Sequence, residues 1–232
     1  MRILALETST EYCSVALWQD GEILSRSELV GQKHSERLIG MLDELLRDAG
    51  FRVSQMDAIA FGMGPGSFTG VRIACGATQG LALGADLPVI PVCTLEALAE
   101  ATSNSRVITA LDARMGEIYH AVYEKDKVGW QMLSAPMLCK PEDAPRVEGN
   151  GWVGTGSGFA VYGEALASRY AGQIQTVEAA VPQASSIVIL AAAKFSLQGG
   201  VDAAQAHPLY LRDKVALKTR EREALKSAST GK

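Results

Sequence analysis

The stretch Gly64-Pro65-Gly66-Ser67-Phe68-Thr69-Gly70-Val71-Arg72 decides the fold of this chain. The apolar run before it, residues 57–61, is typical of a buried strand, and residues 71–85 after it have a helical pattern rich in small side chains. The glycines allow a sharp turn or a close approach to other backbone, and Ser67 or Thr69 can cap the helix. The stretch therefore predicts a glycine-rich turn from a strand into a helix.

This turn has two interpretations. A glycine-rich turn at a helix N-terminus can bind an anion through its unpaired N–H groups, which makes Gly64, Gly66 and Ser67 candidate binding residues. No lysine follows the glycines, and their spacing differs from G-x-G-x-x-G, so neither common nucleotide fingerprint is present. The alternative is a tight turn without a ligand.

The composition is that of an ordinary globular protein. The chain has 232 residues, 47% of them hydrophobic and 21% charged, which is enough for one large or two small domains. No apolar run approaches the length of a membrane span, and Met1-Arg2 leads directly into a strand pattern, so we expect a cytoplasmic protein that does not contact membranes. The net charge of −4 argues against binding nucleic acid unaided.

Charge is concentrated at the end of the sequence. Residues 212–232 contain seven Lys or Arg against three Asp or Glu, which leaves a net charge of −8 over residues 1–211. This basic tail is either a solvated end or an arm that contacts phosphates. The four cysteines have no C-x-x-C spacing and are expected to be reduced and buried.

The first half of the chain predicts the element order β-β-β-α-β-α. Strands are expected over residues 2–7, 13–18 and 22–29, with a hairpin turn at Gln19-Asp20-Gly21. A helix over residues 34–49 has one broad apolar face and ends before Gly50. The strand over residues 57–61 and the helix over residues 71–85 complete this unit.

The second half appears in the sequence as a repeat of the first. A strand over residues 106–111 ends at Asp112, as the first strand ends at Glu7, and a hairpin over residues 116–133 follows. Residues 151–158 repeat a strand and glycine turn, before a helix over residues 159–170. We interpret residues 136–145 as a loop, residues 184–198 as the last helix of the second unit, and the segment from Pro208 as returning toward the first. The pattern predicts a duplication with domains 1–105 and 106–232.

Three blocks of sequence carry a family resemblance. Leu4-Ala5-Leu6-Glu7-Thr8-Ser9, the stretch from Gly64 to Arg72, and Pro208-Leu209-Tyr210-Leu211-Arg212 occur in this order over nearly the full chain. Together they resemble the bacterial TsaB (also called YeaZ) family, which takes part in making the threonylcarbamoyladenosine modification of tRNA. The resemblance implies an α/β actin-like ATPase fold with two ribonuclease-H-like lobes and mixed sheets.

The same resemblance implies where a nucleotide would bind. In the actin-like superfamily, an acidic residue ending the first strand of each half faces the interlobe cleft and helps to position a metal-bound nucleotide. The matching residues are Glu7 and Asp112, with Thr8 and Ser9 in the first turn. Carboxylates of this kind suit Mg²⁺ held through water, although both could simply cap turns. We expect no cofactor to be required by this chain, with room for ATP and Mg²⁺ in a complex.

The catalytic relative of this family, TsaD, carries a His-x-x-x-His pair on a helix, a spacing that places two imidazoles on one face for a metal. The corresponding helix here is expected over residues 92–98, with Thr94 and Leu98 in place of the histidines. We therefore expect no catalytic or metal-binding residues and a non-catalytic subunit. The rival is a stand-alone nucleotide-dependent kinase or ATPase. A peptidase is disfavoured, because neither G-x-S-x-G nor H-E-x-x-H occurs.

The resemblance also implies the partners: TsaD, contacted through the two N-terminal helices, the ATPase TsaE, a second copy of the chain when TsaD is absent, and tRNA only through the complex. The second of these helices carries Gly76, Gly80 and Gly84, and the interior Gly76 and Gly80 each cost about 1 kcal/mol relative to alanine. Close packing on the chain's own sheet or on another molecule would offset that cost. The expected interface residues are Leu38, Met41, Leu42, Leu45, Arg72, Ile73, Gly76, Ala77 and Gly80.

Overall fold

The fold is taken from a computed structural model that describes residues 1–212. The prediction for the basic tail therefore lies, except for Arg212, outside the described residues. The first half forms β1 (Arg2–Glu7), β2 (Tyr12–Gln19), β3 (Glu22–Leu29), α1 (His34–Ala49), β4 (Ala58–Gly64), α2 (Phe68–Ala85), β5 (Val89–Cys93) and α3 (Thr94–Glu100). The second forms β6 (Arg106–Arg114), β7 (Glu117–Lys125), β8 (Trp130–Cys139), β9 (Trp152–Thr155), α4 (Ser157–Val161), α5 (Gly163–Arg169), β10 (Ile174–Glu178) and α6 (Ala184–Gln198).

The two halves share one sheet topology, as the sequence predicts. The first sheet has the order β3-β2-β1-β4-β5 and the second the order β8-β7-β6-β9-β10. In each, the first three strands form an antiparallel meander, the fourth strand pairs in parallel with the first, and the fifth pairs in parallel with the fourth. Each sheet with its helices is a ribonuclease-H-like lobe, and the pair has the actin-like α/β fold.

The third helix of each repeat packs outside its own lobe. Helix α6 covers one face of the first sheet, where Ile187, Val188 and Ala191 pack with side chains such as Ile3 and Ala5. Helix α3 packs against β6 and β7 of the second lobe, with Leu95 and Leu98 in that core. Residues 184–198 are thus the last helix of the second repeat, as predicted, but their apolar side chains are buried on the sheet of the first lobe.

Helix α1 covers the other face of the first sheet. Its apolar stripe of Leu38, Met41, Leu42 and Leu45 is at most 3% exposed and packs in one cluster with Phe61 and its neighbours. The prediction that these four side chains form a partner surface is wrong. They follow the helical spacing of a core-facing stripe, and this sheet face uses all of them.

Several boundaries differ from the sequence expectation. Strands β5 and β10 are not predicted from the sequence, because β5 is a short apolar run that does not distinguish a strand from a helix, and β10 is exposed along its middle. Strand β8 continues to Cys139 through part of the expected loop, and the expected helix over residues 159–170 breaks at Tyr162 into α4 and α5. Residues 92 and 93 lie in β5, so α3 begins at Thr94.

Residues 206–212, the return segment, run back to the first lobe as predicted. The carbonyl of Ala206 accepts a hydrogen bond from Gln79 Nε2 at 3.0 Å, and the Leu209 N–H donates to the Met63 carbonyl at 2.7 Å. Arg212 then reaches the second lobe, where it pairs with the Glu117 carboxylate at 2.8 Å. This segment therefore ties the two lobes together. Within residues 1–212, no helix is both long and apolar enough to cross a membrane.

Candidate functional site

Glu7, the acidic residue that ends β1, is completely buried beneath the glycine-rich turn. One carboxyl oxygen accepts a hydrogen bond from the Ser9 N–H, while Oε2 has no partner within residues 1–212. Burial raises the pKa of this carboxyl group, and the hydrogen bonds from Ser9, Thr8 and Thr94 only partly oppose that shift. Glu7 is thus part of the floor of the turn.

The glycines of the turn allow Glu7 and Ser9 to pack closely against its backbone. A Cβ added to Gly62 would lie 1.8 Å from Glu7 Oε2, and one added to Gly66 would lie 2.6 Å from Ser9. The Ser67 N–H donates to the Ser9 carbonyl at 2.7 Å, and Ser67 caps α2 as expected. These contacts favour the interpretation in which the glycines serve close packing.

A cleft of about 790 Å³ separates the lobes, and we call it the interlobe cleft. Of the predicted binding residues, Ser9, Gly66, Ser67 and Asp112 line it, whereas Glu7, Thr8 and Gly64 do not. Its other walls come from the return segment and from both lobes, including Phe68, Leu111, Arg114, Met115, Tyr119, Ser157, Val161, Tyr210 and Arg212. The expectation that both carboxylates face the cleft is therefore correct for Asp112 and wrong for Glu7, which the turn covers.

Asp112 lies at the rim of the cleft with its carboxylate already engaged. It accepts hydrogen bonds from the Arg114 N–H at 2.8 Å and the Tyr162 hydroxyl at 3.1 Å, and it forms an ion pair with the Arg114 side chain. The Asp112 N–H donates to Ser157 Oγ at 3.0 Å. A site in which two carboxylates share a hydrated Mg²⁺ does not fit this arrangement, because Glu7 is sealed away and Asp112 already has an arginine partner.

Thr94 and Leu98, the positions at which the resemblance implies histidines in the catalytic relative, are used for packing. Thr94 Oγ1 accepts a hydrogen bond from the Gly64 N–H at 3.1 Å, and both Thr94 and Leu98 are fully buried. Over residues 1–212, no group of three or more His, Cys, Asp or Glu side chains is arranged to hold a metal ion. Thr94 and Leu98 offer no imidazole ligand for the metal that the resemblance implies for that relative.

The outer side of α2 presents a second candidate site, which we call the α2 face. It consists of the exposed residues Phe68, Thr69, Arg72, Gly76, Gly80, Leu83 and Gly84. A Cβ added to Gly76, Gly80 or Gly84 would meet nothing within 4 Å, so these glycines do not provide close packing on the chain's own sheet. Ile73 and Ala77 are half-buried against the core and border this face.

Some residues of this surface were missed from the sequence. Leu83 is 67% exposed at the end of the glycine row, and Ile39 of the neighbouring α1 is 54% exposed. Ile39 lies outside the buried stripe of α1, so helical periodicity could have indicated it. Tyr210 is different, since only the return of the chain in space brings it against Phe68 and Arg72.

Comparison with known proteins agrees with this architecture. The family model described as "TsaD: tRNA N6-adenosine threonylcarbamoyltransferase" matches residues 24–219. A Haemophilus influenzae protein named tRNA threonylcarbamoyladenosine biosynthesis protein TsaB is 38% identical over 231 residues, covering 94% of this chain and 96% of the relative. The Escherichia coli protein of the same name is 39% identical over 226 residues, covering 94% and 97%.

A solved structure extends the match to three dimensions. YeaZ from Pseudomonas aeruginosa has a TM-score of 0.83 and 38% identity, with 90% of this chain and 99% of that chain covered. The duplicated sheets and the cleft between them place the protein in the class of two-lobed, actin-like α/β proteins. Within that class, the chain belongs to the TsaB family.

Proposed function

We propose that this chain is a non-catalytic subunit required for threonylcarbamoyl transfer to tRNA, and that it acts by pairing with the catalytic subunit TsaD. Two of its closely similar relatives are named as tRNA threonylcarbamoyladenosine biosynthesis proteins. The replacement of the metal-binding histidines by buried Thr94 and Leu98 supports a division of labour in which TsaD supplies the chemistry. TsaE is the further partner, and tRNA is contacted through the complex.

The observation that carries this proposal is the α2 face. Gly76, Gly80 and Gly84 form a flat row with open space above it, bordered by the exposed Leu83. Exposed helical glycines cost about 1 kcal/mol each relative to alanine, a cost that the isolated chain does not offset by packing. A helix from another molecule can approach such a row closely, because no side chain keeps the backbones apart. The same face would form the homodimer when TsaD is absent.

The proposal can be tested by placing a long side chain on the glycine row of α2. Gly80→Arg should abolish pairing with TsaD, measured by calorimetry, because the arginine keeps the two backbones apart and its charge would be buried. Threonylcarbamoylation by a mixture with TsaD, TsaE, the synthase of threonylcarbamoyl-adenylate, ATP, threonine and bicarbonate should fall with it. The unfolding temperature should not drop, since Gly80 faces open space.

The matched control is Gly163→Arg. Gly163 is an exposed glycine in α5 of the second lobe, and an added Cβ there also meets nothing within 4 Å. This variant should pair and support tRNA modification like the wild type. Normal pairing by Gly80→Arg, or modification of tRNA by this chain without TsaD, would contradict the proposal.

A stand-alone nucleotide-dependent kinase or ATPase is the second candidate. The observation in its favour is the interlobe cleft, whose volume of about 790 Å³ lies within the usual range for small-molecule sites. Calorimetry of the isolated chain with ATP and Mg²⁺ separates the two functions. Tight binding with turnover would favour the enzyme, and absence of heat and of turnover would favour the subunit.

A further inference from the structure

Helix α2 contains a single charged residue, Arg72, among its 18 residues. Arg72 lies in the N-terminal half of the helix, where the positive end of the helix dipole disfavours a cation. The rest of the α2 face is uncharged. Arg72 is therefore the charged group of α2 whose contacts need to be examined.

The guanidinium group of Arg72 is held in place by two aromatic rings. Its Cζ lies 3.3 Å from the ring centre of Phe68 and 5.2 Å from that of Tyr210. Arg72 Nε donates a hydrogen bond to the Tyr210 hydroxyl at 2.7 Å. A planar cation stacked in this way keeps its orientation and loses little conformational freedom when it binds a further group.

The two terminal nitrogens of Arg72 carry no hydrogen bond and no ion pair within residues 1–212. Several other arginines of this range, such as Arg37, Arg106 and Arg212, pair with carboxylates of the same chain. The edge of the Arg72 guanidinium is thus an oriented pair of donors. It lies on the same face as Gly76 and Gly80, one to two helical turns away.

We propose that the edge of Arg72 is the receptor for a carboxylate of the partner subunit, an inference that rests on the proposed pairing through the α2 face. Two parallel N–H donors match the two oxygens of an Asp or Glu side chain. As the single charged contact on an uncharged face, the pair would set the register and direction of the docked helix. A phosphate of tRNA is the weaker alternative, because nucleic-acid sites need several cations and residues 1–211 carry a net charge of −8.

The test compares the affinity of TsaD for the wild type and for Arg72→Gln, Arg72→Lys and Tyr210→Phe. Arg72→Gln should weaken pairing about 10- to 100-fold, with only a small drop in unfolding temperature from the lost contacts with Phe68 and Tyr210. Arg72→Lys should recover only part of the lost affinity, because an ammonium group cannot form the two parallel hydrogen bonds of a guanidinium group. Tyr210→Phe keeps the ring and removes the hydroxyl that orients Nε, so it should cause a smaller loss. In TsaD, one acidic residue of the docking helices should show coupling to Arg72 in a double-mutant cycle.

The outcomes separate this inference from the proposed function. If Gly80→Arg abolishes pairing and Arg72→Gln leaves the affinity unchanged, the carboxylate receptor is overturned and the proposed function stands. If Gly80→Arg pairs normally, the α2 face is not the contact surface and both fail. If Arg72→Gln instead lowers the affinity of the free chain for tRNA, with a smaller salt dependence, a phosphate is the ligand and the inference is overturned.

Discussion

In the first lobe, the strand β4 passes over the buried carboxyl group of Glu7, whereas in the second lobe the equivalent strand β9 passes over the ring of Phe159. Each strand carries a glycine at its contact, but the two glycines are not equivalent, because Gly62 follows the residue paired with Leu6 at the end of β1, whereas Gly154 pairs with Ile108 near the start of β6. An added Cβ would lie 1.8 Å from Glu7 Oε2 at Gly62 and 2.6 Å from the Phe159 ring at Gly154. The same topology thus covers a polar side chain in the first lobe and an apolar side chain in the second.

The two lobes also differ in whether the acidic residue that ends the first strand reaches the interlobe cleft. In the first lobe the carboxyl group fills the space under the turn, so Glu7 is sealed in. In the second lobe Phe159 packs against Gly154 of β9, and Asp112 lies at the rim of the cleft with Arg114 and Tyr162. A shared fold therefore does not imply a shared site, because the acidic residues that end β1 and β6 have different surroundings.

The largest effect is expected from Gly62→Ala. Its methyl group would overlap the fully buried Glu7 side chain, and overpacking of this kind should lower the free energy of unfolding by about 3 kcal/mol. Gly154→Ala should cost less, about 1–2 kcal/mol, because the Phe159 ring on the short helix α4 can shift. Chemical denaturation of both variants measures the difference.

A double variant tests the cause of that effect. Glu7→Ala removes the overlapping carboxyl group, so Gly62→Ala should cost little in that background, and the two substitutions should be strongly coupled. Two results would contradict this account. One is an equal loss of unfolding free energy in Gly62→Ala and Gly154→Ala; the other is additive losses for Gly62→Ala and Glu7→Ala.

The lobes also bury titratable groups of opposite kinds. In the second lobe, burial is the main cause that lowers the pKa of His120 to about 4, with a smaller contribution from Arg169. The Tyr170 hydroxyl donates to the Pro145 carbonyl and contacts His120 Nε2 at 2.8 Å, while Nδ1 has no partner among the described residues. Burial thus keeps this imidazole neutral, just as burial favours the protonated, neutral form of Glu7.

His120 should make the protein sensitive to acid. Between pH 6.5 and about 4, the unfolded state binds a proton that the folded state does not, so stability falls as the pH drops through this window. The loss can reach about 3 kcal/mol. His120→Phe cannot titrate and should flatten this part of the profile, measured as unfolding temperature against pH. An unchanged slope in His120→Phe would assign the acid sensitivity to other groups.

The smallest effect is expected on the α2 face. Gly80→Ala adds a methyl group in open space and should raise the free energy of unfolding by about 0.5–1 kcal/mol through helix propensity alone. Gly163→Ala, at the exposed start of α5, should change stability less, because terminal helix positions contribute less. Thermal unfolding of the two variants at a concentration where the protein is monomeric measures this difference. A loss of stability in Gly80→Ala would place Gly80 in a packed contact.

Much of the fold follows from local sequence. The Asp20-Gly21 turn, the apolar stripe of α1 and the repeated strand–glycine–helix pattern each predict their structures, because turn conformation and helical spacing are short-range properties. The role of individual side chains follows less directly from local sequence. Leu38 and Met41 proved to be core residues, since periodicity identifies an apolar face but not what covers it.

The amino-acid sequence alone determined the duplicated lobes, the capped turn before α2, the family, and the absence of histidines at Thr94 and Leu98. Tertiary structure alone decided that α6 packs on the first sheet, that Glu7 is sealed while Asp112 reaches the cleft, and that Tyr210 orients Arg72 across 138 positions of sequence. The physical reason is the range of the interactions. Backbone conformation and periodicity are set by near neighbours, whereas burial and charge environment depend on which distant segments the folded chain brings together.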